Sequence, residues 1–225
     1  MSPREVVGAA LRNGIDLIGV CDHNSAENVL AVKKAGIRNG LAVLGGMEVT
    51  SSEEAHILAF FDDDDDLLDF QKFIYDNLEG ENDGHTFGLQ VIADDEDGVT
   101  GFCDRLLIGA TSLTAESIVA KARASKGESL VIAAHVDREA FSIIGQLGFI
   151  PDSLVFDAVE VSANANIAEV KKKIPDCVRY PVITSSDAHS PGDIGKRFTS
   201  FVLEEGTVAE IKKALNGKEG RKAEC

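Results

Sequence analysis

Short apolar runs alternate with amphipathic helical segments along most of the chain, and this alternation most limits the possible folds. A first helix is predicted from Ser2, which precedes Pro3 at the first helical position and forms a capping box with Glu5. The apolar run that follows, from Ile15 to Cys21, is too short for a helix. Similar runs recur at 41–46, 55–61, 130–134, 156–162 and 181–185. Strands alternating with helices predict an α/β fold with a mainly parallel sheet, either open or closed into a barrel.

The organisation of the chain predicts one domain. Its 225 residues are an ordinary domain size, and no repeat or linker rich in Pro, Gly or Ser divides them. The pattern opens with a helix rather than a strand, which would leave one edge of a parallel sheet unpaired. We therefore expect residues 1–225 to form a single domain that is truncated at its N-terminus and lacks its first strand.

Charge and cysteine usage limit the partners and the compartment. The chain has 38 acidic and 22 basic residues and a formal net charge of -16. Because an acidic surface repels the phosphates of nucleic acids and anionic lipids, we expect neither long nucleic acid nor a membrane as partner. The four cysteines form no CxxC pair, and no signal peptide or spanning run is visible, which predicts a cytoplasmic protein. Nothing in the sequence indicates the oligomeric state.

Two acidic runs have structural explanations. Asp62 to Asp66 is predicted to cap a helix that begins near Leu67 rather than to bind calcium. The second run, 94–97, is predicted to be the turn of a hairpin between strands at 88–93 and 99–103.

Side chains that can bind metal follow four of the predicted strands. They are Asp22 and His23 after LIGVC, Glu48 after LGGM, His135 after LVIAA, and Asp187 with His189 after VITSS. His56 stands at the start of another strand. Singly, each has an ordinary structural interpretation, such as a hydrogen-bonded histidine or a helix-capping aspartate. Because ligands collect at the carboxyl ends of strands, the set together predicts a centre of imidazoles and carboxylates, which suits Zn, Mn or Fe.

The size of this set predicts more than one ion. Six ligands exceed what one tetrahedral ion needs and suit two or three divalent ions bridged by a carboxylate. Closely spaced ions clamp the attacking and leaving oxygens of a phosphoryl transfer and lower the pKa of bound water. The nucleophile would then be metal-bound water, and no protein nucleophile would be needed. The sequence shows no convincing Ser-His-Asp or Cys-His arrangement, no P-loop and no GxGxxG motif.

Four segments resemble, in order, the successive motifs of the PHP (polymerase and histidinol phosphatase) family of metal-dependent phosphoesterases. They are DLIGVCDHNS, LGGMEVTSSEEAHILAF, LVIAAHVDR and VITSSDAH. The resemblance spans nearly the whole chain and is greatest to the small stand-alone bacterial members. It implies a distorted (β/α)7 barrel of PHP type, here without its first strand. The family's first motif, an HxH pair, is absent from this chain, which removes two histidines from the first metal site.

The resemblance implies a role for each candidate metal ligand. Glu48 would bridge the first and second ions, and His56 and His135 would complete the second site. Asp187 would bind the first ion.

The remaining candidate residues also take roles from the resemblance. His189 and His23 would bind the third ion, and Asp22 would orient the neighbouring His23. Arg138, three residues after His135, would bind the substrate phosphate. For Arg138 a surface position at a helix start is an equally weighted alternative.

These features predict a hydrolase that removes phosphate from a small phosphorylated metabolite or nucleotide through a metal-bound hydroxide. A non-catalytic metal-binding module with a structural or regulatory role is one alternative, because the HxH pair is missing. An exonuclease acting on short oligonucleotides is another, since Arg138, Lys196 and Arg197 would form a small basic mouth.

Overall fold

The computed structural model describes all of residues 1–225. The α-helices are α1 Pro3–Arg12, α2 Val29–Asn39, α3 Asp64–Tyr75, α4 Ala115–Arg123, α5 Ile143–Leu147, α6 Ile167–Lys173 and α7 Val208–Leu215, with a 3-10 helix at Pro175–Arg179. The strands are β1 Leu17–His23, β2 Ala42–Thr50, β3 His56–Phe61, β4 Val91–Ala93, β5 Val99–Phe102, β6 Ser129–Ala133, β7 Ala158–Val161, β8 Val182–Thr184, β9 Ser200–Val202 and β10 Lys222–Glu224. None of the helices is long and apolar enough to cross a membrane.

Six strands form one curled sheet in the order β1-β2-β3-β6-β7-β8. β1 pairs with β2, β6 with β7, and β7 with β8 in parallel. β3 runs antiparallel to both of its neighbours, which the prediction of a mainly parallel sheet did not include. The predicted α/β fold with a distorted barrel of PHP type is confirmed.

Because β3 is antiparallel to β2 and β6, its first residue lies beside their carboxyl ends. His56, its first residue, pairs with Thr50 at the carboxyl end of β2, and the backbone N–H of Ala134 donates to the His56 carbonyl at 3.2 Å. The start of β3 therefore lies at the same rim of the sheet as the ends of β2 and β6. Asp62 to Asp66, which follow β3, lie at the opposite edge.

Both faces of the sheet are buried, and alternate residues of each strand serve different cores. Ile57, Ala59 and Phe61 of β3 pack into the larger core with α2, α3 and α4. Leu58 and Phe60 pack on the other face against α7. Alternation carries His56 on β3 and Glu48 on β2 onto this second face, and the candidate site lies at its rim.

Two segments differ from the sequence expectation. The spacing of apolar residues over 138–147 predicts a helix, but only α5 is helical, because Ser142 caps it at 2.8 Å from the N–H of Gly145. The residues before Ser142 form an irregular loop. The run 198–203 likewise predicts a strand, which is found as β9 and pairs with β10 rather than with the main sheet.

Both acidic runs have the structural roles predicted for them. Asp63 accepts hydrogen bonds from the backbone N–H groups of Asp65 and Asp66 and so caps α3. β4 and β5 form the predicted antiparallel hairpin, which lies outside the main sheet.

Candidate metal centre

Three imidazoles surround the buried carboxylate of Glu48. His56 Nδ1 lies 3.0 Å and His135 Nε2 lies 3.3 Å from Glu48 Oε1. His23 Nδ1 lies 3.7 Å from Glu48 Oε2. Ligand atoms of His23, Glu48 and His56 all lie within 4.8 Å of one another, as one cation would require. Residues far apart in the sequence thus meet in one pocket.

Strand register brings these side chains together. His23 and Glu48 are paired neighbours on β1 and β2, and the backbone N–H of Asn24 donates to the Glu48 carbonyl at 2.8 Å. Asn24 is fully buried, and its side-chain oxygen accepts from the N–H of Thr50 at 3.1 Å. This turn holds the end of β1 against the end of β2. His135 follows β6 with a φ of 27°, a conformation that few non-glycine residues adopt.

The electrostatics of the pocket favour an ionised Glu48 beside a neutral His23. Burial alone would raise the pKa of Glu48, but hydrogen bonds with His135 and His56 and the proximity of His23 hold it well below its ordinary value. Burial lowers the pKa of His23 despite the nearby Glu48. Both shifts favour the protonation states in which Glu48 and His23 can bind a metal ion.

Unused ring nitrogens provide a test of whether these residues fit a cation. The Nδ1 atoms of His23 and His135 are buried and have no hydrogen-bond partner. Buried polar atoms without a partner are uncommon and call for an explanation such as a bound ion. Imidazole nitrogens beside a carboxylate form a donor set that fits a divalent transition-metal ion.

His189 and Asp187 lie at the outer side of the same pocket. The ring of His189 is centred 6.1 Å from that of His23, and its Nδ1 lies 3.8 Å from Asp187 Oδ1. The His189 side chain is 67% exposed. Asp187 adopts a φ of 46° and forms an ion pair with Arg138. Both residues thus adjoin the pocket, but neither is buried within it as Glu48 is.

The two remaining candidate residues, Arg138 and Asp22, lie in different places relative to the pocket. Arg138 is exposed in the loop before α5, where it donates to Asp187 and places its Nε 3.3 Å from Ser162 Oγ, so it lies on the surface beside Asp187 and not at a helix start. Asp22 is exposed and makes no hydrogen bond with His23. Adjacent strand residues point to opposite faces, so the Asp22 side chain leaves β1 on the other side.

Glu160 on β7 is a buried carboxylate of this pocket that the sequence analysis did not select. Its Oε2 accepts from the backbone N–H of His135 at 3.3 Å, and its Oε1 accepts from the hydroxyl of Ser185. Burial raises the pKa of Glu160. The available sequence signal was a glutamate flanked by Val159 and Val161 inside the predicted strand 156–162.

Comparisons with known proteins agree with this architecture. Residues 176–219 match the family model described as PHP-associated. The uncharacterized protein YqxK of Bacillus subtilis (strain 168) is 22% identical over 242 residues, which covers 97% of this chain and 56% of YqxK.

Similar solved structures extend over nearly the whole chain. The lesion-specific endonuclease EndoQ of Pyrococcus furiosus superposes with a TM-score of 0.73 at 21% identity, covering 99% of this chain and 53% of that one. A two-domain Bacteroides vulgatus protein containing a predicted PHP-like metal-dependent phosphoesterase superposes with a TM-score of 0.56 at 16% identity, covering 98% and 59%. The present chain therefore spans little more than half the length of these relatives.

One comparison corrects the predicted partners. A structure of Endonuclease Q with the same fold, at a TM-score of 0.72 and 20% identity, holds a 27-mer duplex substrate with an abasic lesion at the active site. The restriction to a small phosphorylated substrate, with long nucleic acid excluded, is therefore wrong. Net charge was a poor guide because it sums over the whole surface, and the run Asp62 to Asp66 lies at the edge of the sheet opposite the histidines.

The C-terminal match and the fold point to the same family. The PHP-associated match covers α7 and the 3-10 helix, and the fold comparison covers the strands that hold the histidines. The predicted resemblance to the PHP family is thereby confirmed, through the fold and through the match over residues 176–219.

Proposed function

We propose that this chain is a metal-dependent phosphoesterase that hydrolyses phosphodiester bonds of nucleic acid. The observation behind the proposal is the buried carboxylate of Glu48 among the rings of His23, His56 and His135, at the rim of a fold shared with a lesion-specific endonuclease.

We assign the metal ligands from this geometry. Two or three ions of Zn, Mn or Fe would be held by His23, Glu48, His56 and His135, with Asp187 and His189 on the outer side. Such ions stabilise negative charge on phosphoryl oxygens and lower the pKa of water.

The protein's own positive charges would hold the substrate phosphate. Arg138 presents its guanidinium beside Asp187, where charge-assisted hydrogen bonds to a phosphate oxygen are available. The backbone N–H of Arg197 lies 3.4 Å from Ser186 Oγ, next to Asp187 in the chain, and the side chain of Arg197 has no ion pair. Arg138 therefore brings positive charge next to Asp187 on a chain that is acidic overall.

A cleavage assay with matched variants tests this function. The purified chain is supplied with Mn²⁺ or Zn²⁺ and given end-labelled duplexes with and without one abasic site. We expect strand cleavage that a chelator abolishes, that His135→Ala abolishes and that His85→Ala retains. His85 is the matched control because it is the one histidine outside the pocket and is exposed.

The negative outcome also has a defined meaning. If calorimetry shows that metal binds but neither duplex is cleaved, the proposed activity is wrong for this chain. The non-catalytic metal-binding module would then be the better description.

We also propose that residues 1–225 are one PHP-like domain whose sheet accepts a further strand beside β1. β1 is an edge strand of seven residues, on which Gly19 and Asp22 are exposed. Open edges of this length are normally covered. A chain extended by a strand with an HxH pair should bind metal more tightly than residues 1–225, and equal affinity would argue against this arrangement.

Four free cysteines suit the reducing cytoplasm, where we propose that the protein resides.

A further inference from the structure

Phe141 places an aromatic ring beside the candidate metal centre. Its ring stacks on the imidazole of His56 at 5.0 Å between centroids and 22° between planes. The residue nevertheless remains 47% exposed. An apolar ring half-exposed to water next to a polar pocket gains little from burial, so its position calls for another explanation.

The backbone holds Phe141 in an unfavourable conformation. Its φ is 60°, in the left-handed region that bulky residues seldom adopt. Its carbonyl accepts from the backbone N–H of His56 at 2.9 Å, which fixes the loop to the start of β3. Strain of this kind clusters at functional sites because the surrounding structure must maintain it.

The next residues fix the loop from the other side. Ser142 is fully buried, caps α5 through Gly145, and donates its hydroxyl to the carbonyl of Arg138 at 2.6 Å. Gly145 has no side chain where the carbonyl of Glu139 lies against it. The ring of Phe141 and the guanidinium of Arg138 are therefore presented by one fixed loop.

We propose that Phe141 is a stacking platform for a nucleobase next to the phosphodiester that the metal centre receives. This inference rests on the proposed function and specifies its substrate as a strand that carries bases. Aromatic side chains stack on any base, which suits recognition without sequence preference. Arg138 in the same loop contacts the phosphate, so one loop holds both parts of a nucleotide. A phosphomonoester without a base gains nothing from this ring.

Binding measurements with two oligonucleotides test the platform. One single strand carries ordinary bases, and the other has the same length with abasic residues at its centre. We expect Phe141→Leu to weaken binding of the first strand by about 10-fold, as the loss of one base–aromatic stack would, and to leave binding of the second unchanged. Phe141→Tyr should bind both strands like the unmodified protein. Phe149→Leu is the matched control, since Phe149 follows the opposite end of α5 and is 56% exposed.

A fluorescent variant provides a second measurement that does not depend on the leucine variant folding. The chain contains no tryptophan, so Phe141→Trp introduces a single tryptophan, whose emission can be excited separately from that of the two tyrosines. Quenching of its emission by the base-bearing strand, without quenching by the abasic strand, is the expected result.

The outcomes separate the platform from the proposed function. Equal weakening of both strands by Phe141→Leu, or no weakening of either, would overturn the platform, as would equal quenching of the Phe141→Trp variant by both. Base-dependent binding without any metal-dependent cleavage would retain the platform and refute the hydrolytic activity. Metal-dependent cleavage, together with binding that does not depend on bases at Phe141, would retain the hydrolytic activity and refute the platform.

Discussion

Glu160 joins two strand ends of the metal centre, and replacing it tests how the pocket is held. It is 4% exposed, and it accepts hydrogen bonds from the backbone N–H of His135 and the hydroxyl of Ser185. Glu160→Ala removes both acceptors, whereas Glu160→Gln keeps the shape and one acceptor oxygen. We therefore expect the alanine variant to be much less stable than the glutamine variant.

The contacts of Glu160 set the size of the expected decrease in the free energy of unfolding. In Glu160→Ala the buried N–H of His135 loses its partner, which costs about 1–3 kcal/mol, and the lost side-chain volume adds about 1–2 kcal/mol. We expect a total decrease of about 3 kcal/mol in the free energy of unfolding. Glu160→Gln replaces a carboxylate that burial disfavours by a neutral amide, so we expect a change within about 1 kcal/mol.

The pKa of Glu160 adds a pH dependence with a definite sign. Burial raises this pKa above its ordinary value of 4.5, so the folded protein keeps a proton that the unfolded chain has released. The stabilisation is fully present below 4.5 and is lost as the pH rises through the folded-state pKa. Relative to Glu160→Gln, the unmodified protein should therefore lose stability as the pH increases from mildly acidic to mildly basic values.

Urea unfolding of the metal-free protein, followed by circular dichroism at about pH 5 and about pH 8, measures both effects. Glu169→Gln is the matched control, because Glu169 on α6 is exposed and has no ion pair. Equal destabilisation by the alanine and glutamine variants would refute the hydrogen-bond argument. A stability difference between the glutamine variant and the unmodified protein that does not change with pH would refute the assignment of a raised pKa.

Single contacts elsewhere lead to three more expectations. Glu48→Gln should weaken Mn²⁺ binding in calorimetry by at least about 10-fold, because the pocket loses its central charged ligand, and an unchanged affinity would remove Glu48 from the ligands. Gly46→Ala should cost about 1–3 kcal/mol in urea unfolding, since its Cβ would lie 2.7 Å from a β3 carbonyl oxygen, whereas Gly101→Ala, whose nearest atom is 3.9 Å away, should cost little. Equal costs would contradict the steric argument. A hydrogen bond from Arg221 lowers the pKa of Glu210 from 4.5 to about 2, so this pair stabilises the fold above pH 4.5 and is lost as the pH falls toward 2. In Arg221→Gln, the free energy of unfolding should therefore fall less steeply as the pH decreases below 4.5. An unchanged pH dependence would exclude the pair as its cause.

Most of the candidate pocket residues were within reach of sequence reasoning because each follows or ends an apolar run. His23 and His135 end or directly follow apolar runs, and Glu48 stands near the end of another. The carboxyl ends of parallel strands meet at one rim, so the alternation of strands and helices was enough to expect their proximity. Capping signals were equally local, as the box of Ser2 with Glu5 shows.

Other features needed the folded chain. His56 begins its strand, so in a parallel sheet it would have faced the opposite edge from the other ligands, and only the antiparallel direction of β3 brings it to them. The positive φ of Phe141 and the stack of its ring on His56 likewise depend on contacts between distant segments. The spacing of apolar residues predicts a helix that includes Phe141. This spacing does not show that Ser142 caps the helix and leaves Phe141 in the preceding loop.

The sequence by itself determined the alternating elements, their caps and the chemical character of the strand ends, because these follow from interactions between residues close in the chain. The tertiary structure decided the direction of β3, the contacts that join Glu160 to two strand ends, and the position of the run Asp62 to Asp66 at the edge opposite the histidines. Each of these depends on pairing between distant residues, whose geometry no local pattern encodes. The same reason explains the error about nucleic acid: a net charge has no position until the chain is folded.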